Sequence, residues 1–252
     1  NLSNDHLDWH GSRSNYLKAK LKIFSLQKKN QYAIINNQIK NKFLKKKFFS
    51  RLIVPKYRDY KKIRFKIKNR YLISKINDEN MCFIYSFAKL LKIRDNSFIS
   101  ALQTFKGLSH RFEMFLKKRN ITFINDSKAT SFTASQLALS SLKNIYWILG
   151  GLPKKGDRFN FIKYKKNIIK CYIIGKHINF FKNQIKGKLK FSITKNLKDS
   201  LAKIIEDINY QGESNKTVLL SPGAASFDQF INFEVRGKEF KRLSKTYAKK
   251  LI

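Results

Sequence analysis

"ITFINDSKATSFTASQLALSSLKNIYWILGG", residues 121–151, decides the fold. A short apolar run leads into the polar cluster "NDSKAT" at 125–130, then a segment with helix-like spacing, then a second apolar run that closes on Gly150-Gly151. The same rhythm continues downstream. "IIKCYIIG", "KLKFSIT" and "TVLLSPG" read as apolar strands, with helical segments expected near 132–142, 177–185, 197–208 and 226–250. "FEMFLKK" at 112–118 pairs with "ITFIND" as a hairpin. Alternation of this kind predicts an α/β fold with a mostly parallel sheet covered by helices on both faces.

Such sheets place their sites at the carboxyl ends of the strands. Four strand ends here are polar: 125–130, "GGLPKKGD" at 150–157, "IGKH" at 174–177 and "SPGAASFD" at 221–228. Thr133-x-x-Gln136 and Ser226-x-x-Gln229 have capping-box spacing, which puts expected helix N-termini just after the first and last of these. Free N–H groups and the positive end of a helix dipole favour a carboxylate or phosphate. Lys128 and Lys154 add positive charge to the same rim. Composition and spacing point to an anion site and do not name a reaction.

The region before about residue 107 also reads as α/β, with too few strands for a closed sheet. "NYLKAKLKIFSL", "ENMCFIYSFAKLLKI" and "DNSFISALQTF" read as helices, the last starting at an Asp/Asn/Ser cap cluster. "YAIINN" and the basic segments 48–54 and 63–73 read as strands. The interleaved basic and apolar residues between 41 and 71 fit an exposed β-hairpin with one buried face, or a surface on which bases stack.

With 54 Lys+Arg against 16 Asp+Glu, the 252-residue chain carries a formal charge of +38. Polyanion binding is the obvious inference from such a charge. Yet the excess is mostly Lys, spread from Lys18 to Lys250 and accompanied by abundant Asn, Ile and Phe, as an AT-rich coding bias produces. No nucleic-acid-binding motif accompanies it, so no specific nucleic acid is expected as a partner. Cys82 and Cys171 lie far apart in apolar runs and read as core thiols of a reducing compartment. No apolar run approaches the ~20 residues a bilayer crossing needs. A cytoplasmic monomer without membrane insertion is expected.

At the strand ends the sequence resembles the Mur ligases, in particular their D-glutamate-adding branch. The resemblance runs in order through "NLSNDHLDWHGSRSNYLKAKLKIF", "NDEN", "TFKGLSHRFE", "INDSKAT", "LGGLPKKGDRF" and "VLLSPGAASFDQFINFEVRGKEF". The "DSKAT" and "SPGAASFDQF" segments are the branch-specific ones. The resemblance implies ATP-dependent ligation of D-glutamate to UDP-N-acetylmuramoyl-L-alanine through an acyl phosphate, in cell-wall peptidoglycan synthesis. It implies two domains: residues 1–107 as the end of a central ATP-binding domain, and 108–252 as a Rossmann-like C-terminal domain that brings in the amino acid.

Residue by residue, the resemblance makes His6 a magnesium (Mg2+) ligand and Lys20 a carbamylated, catalytic lysine. Asn77 and Asn80 match an ATP-contacting pair, and Arg111 and Asp126 match groups that bind the phosphate and ribose of ATP. Lys128, Thr130, Lys154, Ser226, Phe227 and Phe233 match the D-glutamate pocket, with Lys128 and Lys154 also serving as catalytic cations. The chain departs from the family pattern at Trp9 for Arg, Ile76 for His and Ser109 for Pro. It contains no Gly-x-x-x-x-Gly-Lys-Ser/Thr phosphate loop. The expectation is therefore a chain that enters the family pattern partway and is inactive alone. Rival readings are another amide ligase of the superfamily, such as a folate polyglutamate ligase, and a basic nucleic-acid-binding module or noncatalytic remnant.

Overall fold

The computed structural model describes residues 7–69, 71–72, 77–154, 156–158, 160, 162–210 and 214–251. The chain divides into two compact units, Asn1–Lys106 and Gly107–Ile252.

The first unit opens with helices α1 (Leu7–His10) and α2 (Arg13–Ser25), the second capped by Ser12, whose side chain accepts from the Asn15 amide. Strand β1 (Tyr32–Ile34), helix α3 (Asn37–Lys45), strand β2 (Arg51–Ile53) and helix α4 (Tyr57–Arg64) follow. Helices α5 (Asp78–Leu90) and α6 (Asp95–Thr104) complete it. The two strands pair in parallel, Ala33 opposite Leu52, and form a sheet of only two strands. Leu17, Leu21, Ala33, Ile35 and Phe43 make one small core, and Tyr60, Ile63, Met81, Tyr85 and Phe98 another.

Two expectations for this unit are corrected. The described residues of the basic segment 63–73 form no strand: its start belongs to α4, and Tyr60 and Ile63, three apart, face the core on one side of that helix. The stretch read as a hairpin is thus helix, strand, helix. A Lys or Arg between apolar residues fits a period of two or of 3.6 equally well, and here the helical period wins. Helix α6 starts one residue earlier than its Asp/Asn/Ser cluster suggests, with Arg94 in the N-cap position and no side-chain cap.

The second unit carries strands β3 (Glu113–Lys118), β4 (Ile121–Asn125), β5 (Ile145–Gly150), β6 (Ile168–Ile174), β7 (Phe191–Lys195) and β8 (Lys216–Leu220). They form one six-stranded sheet in the order β3-β4-β8-β5-β6-β7. The β3–β4 pair is the expected antiparallel hairpin, and every other pairing is parallel. Helices α7 (Phe132–Ser141), α8 (Ile178–Ile185), α9 (Leu197–Asn209) and α10 (Phe233–Tyr247) cover it.

Strand β5 shows why both faces must be covered, since all six of its residues are buried. Tyr146 and Ile148 pack with Leu201, Ile204 and Phe240 of α9 and α10, whereas Ile145, Trp147 and Leu149 pack with Leu139 and Phe181 of α7 and α8. That alternation is the two-residue period of a strand buried on two sides. The expected capping boxes are corrected. Helix α7 is capped by Ser131, which accepts from the Ala134 amide, and α10 starts at Phe233 under Asn232, which accepts from the Val235 amide. Ser131 and Asn232 have the extended backbone a cap requires. Ser226 instead accepts turn hydrogen bonds at its carbonyl from Gln229 and Phe230.

Trp147 joins this core to the strand ends, its indole N–H donating to the Ser221 carbonyl at 2.7 Å. Truncation to Ala empties a fully buried site and removes a hydrogen bond to that carbonyl, which also accepts from the Ser135 hydroxyl at 3.2 Å. Trp147→Ala is expected to cost the second unit about 3–5 kcal/mol in urea denaturation followed by circular dichroism, against under about 1 kcal/mol for exposed Tyr210→Ala.

Candidate functional site

The parallel pairing of β4, β8, β5 and β6 brings the four polar strand ends to one edge of the sheet. Backbone bonds then tie the loops together. The Asp126 amide donates to Leu220, Gly150 to Pro222, and Gly223 to Ala129. Leu152 and Ala225 exchange both backbone bonds as an isolated bridge. Asp228 reaches the end of β6, where its Oδ2 accepts from the Lys176 amide at 2.8 Å.

Asp126 is buried at the end of β4. Its Oδ1 accepts from the Phe112 amide at 3.1 Å and its Oδ2 from the Ser221 hydroxyl at 2.7 Å. Burial pushes its carboxyl up to about 7, against the opposing pull of those two hydrogen bonds and the Arg111 charge. Arg111 itself is exposed.

Beside it lies a network that sequence reasoning missed. The Asn125 amide nitrogen donates to His110 Nδ1 at 2.9 Å, to Glu113 Oε2 at 3.2 Å and to the Gly237 carbonyl at 3.3 Å. Burial holds the His110 imidazole below its usual value. Burial alone would raise the Glu113 carboxyl, but hydrogen bonds from Lys241 and the His110 amide hold it below the usual carboxylate range. A Cβ at position 237 would lie 2.2 Å from His110 Nδ1, so only glycine lets α10 approach this closely. His110 has φ of +63°. Nothing local marks its ring, whose partners Asn125 and Phe233 lie 15 and more positions away.

The expected pocket residues gather partly. Lys128, at the end of β4, places its ammonium 3.9 Å from the centre of the Phe233 ring, and its amide donates to the His110 carbonyl. The His110 ring meets Phe233 edge-on. Ser127 Oγ donates to the Phe233 carbonyl at 2.8 Å, so the first residue of α10 is fastened to the strand end. Thr130 is half-buried beside Lys128, Ser226 is buried on the β8 loop, and Lys154 is half-buried on the β5 loop. Phe227 projects from the surface, 68% exposed. The amide of Phe132, at the N-terminus of α7, already donates to Asp157 Oδ2 at 3.2 Å, so one expected anion-binding N–H is engaged within the chain.

The candidates of the first unit are more scattered. Lys20 is exposed, its ammonium 5.0 Å from the Tyr16 ring centre. Asn77 occupies the N-cap position of α5 without a side-chain cap, and its amide donates to the Tyr71 carbonyl at 2.7 Å. Asn80 is exposed one turn on. His6 and Ile76 lie outside the described residues. Among the described residues no three His, Cys, Asp or Glu side chains gather as metal ligands. A cavity of about 340 Å³ in this unit is lined by residues such as Asn36, Glu79 and Cys82, none of them a sequence candidate. No helix among the described residues is long and apolar enough to cross a membrane.

Comparison with known proteins adds an independent line. Residues 1–88 match the Mur ligase middle domain. The chain is 36% identical over 261 residues to UDP-N-acetylmuramoylalanine--D-glutamate ligase of Wolbachia sp. subsp. Brugia malayi, covering 96% of this chain and 52% of that protein. To the ligase of the same name from Rickettsia prowazekii it is 32% identical over 272 residues, covering 98% of this chain and 60% of that protein. The chain thus spans between half and two thirds of the length of these curated relatives. Its fold is similar to a crystal structure of MurF from Acinetobacter baumannii, with a TM-score of 0.67, 13% identity and coverage of 99% of this chain and 58% of that one.

The state of Asp126 is open to direct test. A carboxyl raised from 3.8 to about 7 by burial contributes stability that is complete below pH 4 and is lost as pH rises through 7. The full loss is on the order of 4 kcal/mol for a shift of that size. In urea titrations from pH 5 to 8.5 the wild type is expected to lose most of this stability relative to Asp126→Asn. Parallel pH profiles for the two proteins would show that Asp126 is an ordinary solvated carboxylate.

Proposed function

The chain belongs to the Mur ligase family, and from that premise we propose that it serves the ATP-dependent ligation of D-glutamate to UDP-N-acetylmuramoyl-L-alanine in peptidoglycan synthesis. The observation that carries this reading is the strand-end edge of the second unit, where Lys128, Thr130 and Ser226 lie on adjoining loops beside Phe233 at the start of α10. The relatives bearing the D-glutamate ligase name support the choice of amino acid.

In this chemistry ATP phosphorylates the carboxylate of the alanyl substrate, giving an acyl phosphate and ADP. The D-glutamate amine attacks the acyl carbonyl, and the tetrahedral intermediate expels phosphate to leave the amide. Orientation of the amine and cations beside the developing oxyanion are what the protein must supply. Lys128 suits the second task, because its ammonium is anchored on Phe233 and its backbone on His110. The hydroxyls of Thr130 and Ser226 suit the carboxylates of D-glutamate. Lys154 suits a second cationic contact from the β5 loop. Phe227, exposed on the β8 loop, suits the outer wall of the amino-acid pocket.

Arg111 and Asp126 are assigned to the nucleotide, Arg111 toward phosphate and Asp126 toward ribose. With both Asp126 oxygens already accepting from the chain, a ribose contact would use their remaining lone pairs. Asn77 and Asn80 on α5 are assigned to ATP within the first unit. His6, assigned to magnesium, lies outside the described residues, and among the described residues no three His, Cys, Asp or Glu side chains gather as a ligand set. Lys20 retains its proposed carbamylated, catalytic role, and its exposure leaves the amine accessible to carbon dioxide. We assign residues 1–107 to the end of the central ATP-binding domain and 108–252 to the amino-acid-binding domain. These 252 residues hold no phosphate loop, so ATP turnover by this chain alone is not expected.

The test is a labelled amino-acid competition. The native protein that carries this chain, given the uridine nucleotide substrate, ATP and equal D-Glu, L-Glu, L-Lys and L-Ala, is expected to incorporate D-Glu alone. Lys128→Met should lower kcat/KM for D-Glu at least a hundredfold. Incorporation of L-Glu instead would move the protein to another branch of the family.

A further inference from the structure

The strand-end edge contains a buried cation that none of the roles above uses. Arg236, on α10, is 1% exposed. Its Nε donates to Ser127 Oγ at 3.0 Å, and its Nη2 donates to the carbonyls of Ser127 at 2.8 Å and Ala224 at 3.0 Å. Its Nη1 is buried without a hydrogen-bond partner. That nitrogen lies against the β5 loop, 3.2 Å from where a Cβ on Gly151 would stand. One guanidinium therefore touches three of the four polar strand ends.

Among the described residues no carboxylate forms a salt bridge with Arg236. Asp228 is the one acidic group whose charge bears on it, and its Oδ2 is engaged by the Lys176 amide. Holding an unpaired charge out of water costs a protein several kcal/mol. A helix that only needed to pack here would do better with an apolar residue. The arrangement instead resembles the preorganised cations that sites use toward an arriving negative charge, strongest where water is excluded.

We infer that Arg236 is the buried counter-charge of the strand-end site, a positioning residue that locks the loops at 127, 151 and 224 and makes the site select a dicarboxylate over its neutral amide analogue. The inference rests on the D-glutamate reading for the identity of the ligand. Three neutral acceptors fix the guanidinium, and its charge is balanced only when an anion occupies the rim outside the loops. Arg236 acts through Ser127 and Ala224, next in the chain to Lys128 and Ala225.

The experiment is amide NMR of the full 252-residue chain titrated with glutarate, D-glutamate and D-glutamine. In the wild type, glutarate and D-glutamate are expected to shift the amides of Gly151, Leu152 and Ala225, with D-glutamine at least tenfold weaker. Arg236→Met should weaken both dicarboxylates at least tenfold and bring D-glutamine within threefold of D-glutamate, whereas Arg236→Lys should keep the preference. Arg236→Met binding D-glutamate with wild-type strength and preference overturns the inference and leaves the D-glutamate reading standing. Glutarate binding that depends on Arg236, without D-glutamate binding, upholds the counter-charge and overturns the ligand. Binding of neither overturns both. Should Arg236→Met fail to fold, the wild-type Arg236 Nε–H resonance decides: a shift at saturating glutarate supports the inference, and an unmoved resonance overturns it.

Discussion

The parallel pairing of β4, β8, β5 and β6 is the constraint on which the rest of the second unit depends. Parallel strands end together, so four loops of unrelated sequence meet at one edge. Their backbone groups then find one another: Asp126 with Leu220, Gly150 with Pro222, Leu152 with Ala225. The core enforces the pairing, because β5 is buried on both faces and has no register that would leave a polar side chain outside. Trp147 carries that constraint outward, since its indole holds the Ser221 carbonyl while the Ser221 hydroxyl holds Asp126.

At that edge the chain concentrates polar groups that a stable fold does not require. Asp126 is buried with its carboxyl pushed up to about 7, Lys128 is propped on an aromatic ring, and Arg236 is sealed in with one nitrogen unsatisfied. Burial of Asp126 and Arg236 disfavours the folded state locally, and their coincidence with Lys128 at one sheet edge separates a site from ordinary surface chemistry. Net charge of +38 thus says less about function than the position of one buried arginine.

Much of this was legible in the sequence. The apolar runs at 145–150, 168–174 and 216–220 had no reading except buried strands, and the segments between them had helical spacing. Where Lys and Arg interleave with apolar residues, as at 63–73, the two periods could not be told apart and the end of a helix was read as strand. Cap positions were displaced because Ser, Thr and Asn cluster around each helix start, and backbone conformation rather than residue type selected Ser131 and Asn232. The pocket residues on the "NDSKAT" and "SPGAASFD" loops were found by position at strand ends and by resemblance. His110, Asn125 and Arg236 were not found. An arginine in a basic helix reads as solvated, and its contacts with Ser127, 109 positions away, and with the β5 and β8 loops are not visible in the local sequence.

The central claim is that the ends of β4, β5 and β8 form the D-glutamate site. A crystal structure of the native protein with D-glutamate tests it most directly. The account predicts density for the amino acid within hydrogen-bond distance of Thr130 and Ser226, with a carboxylate on the side of Lys128. Density in the cavity near Asn36 and Glu79 instead, or at no position on the strand-end edge, would contradict it.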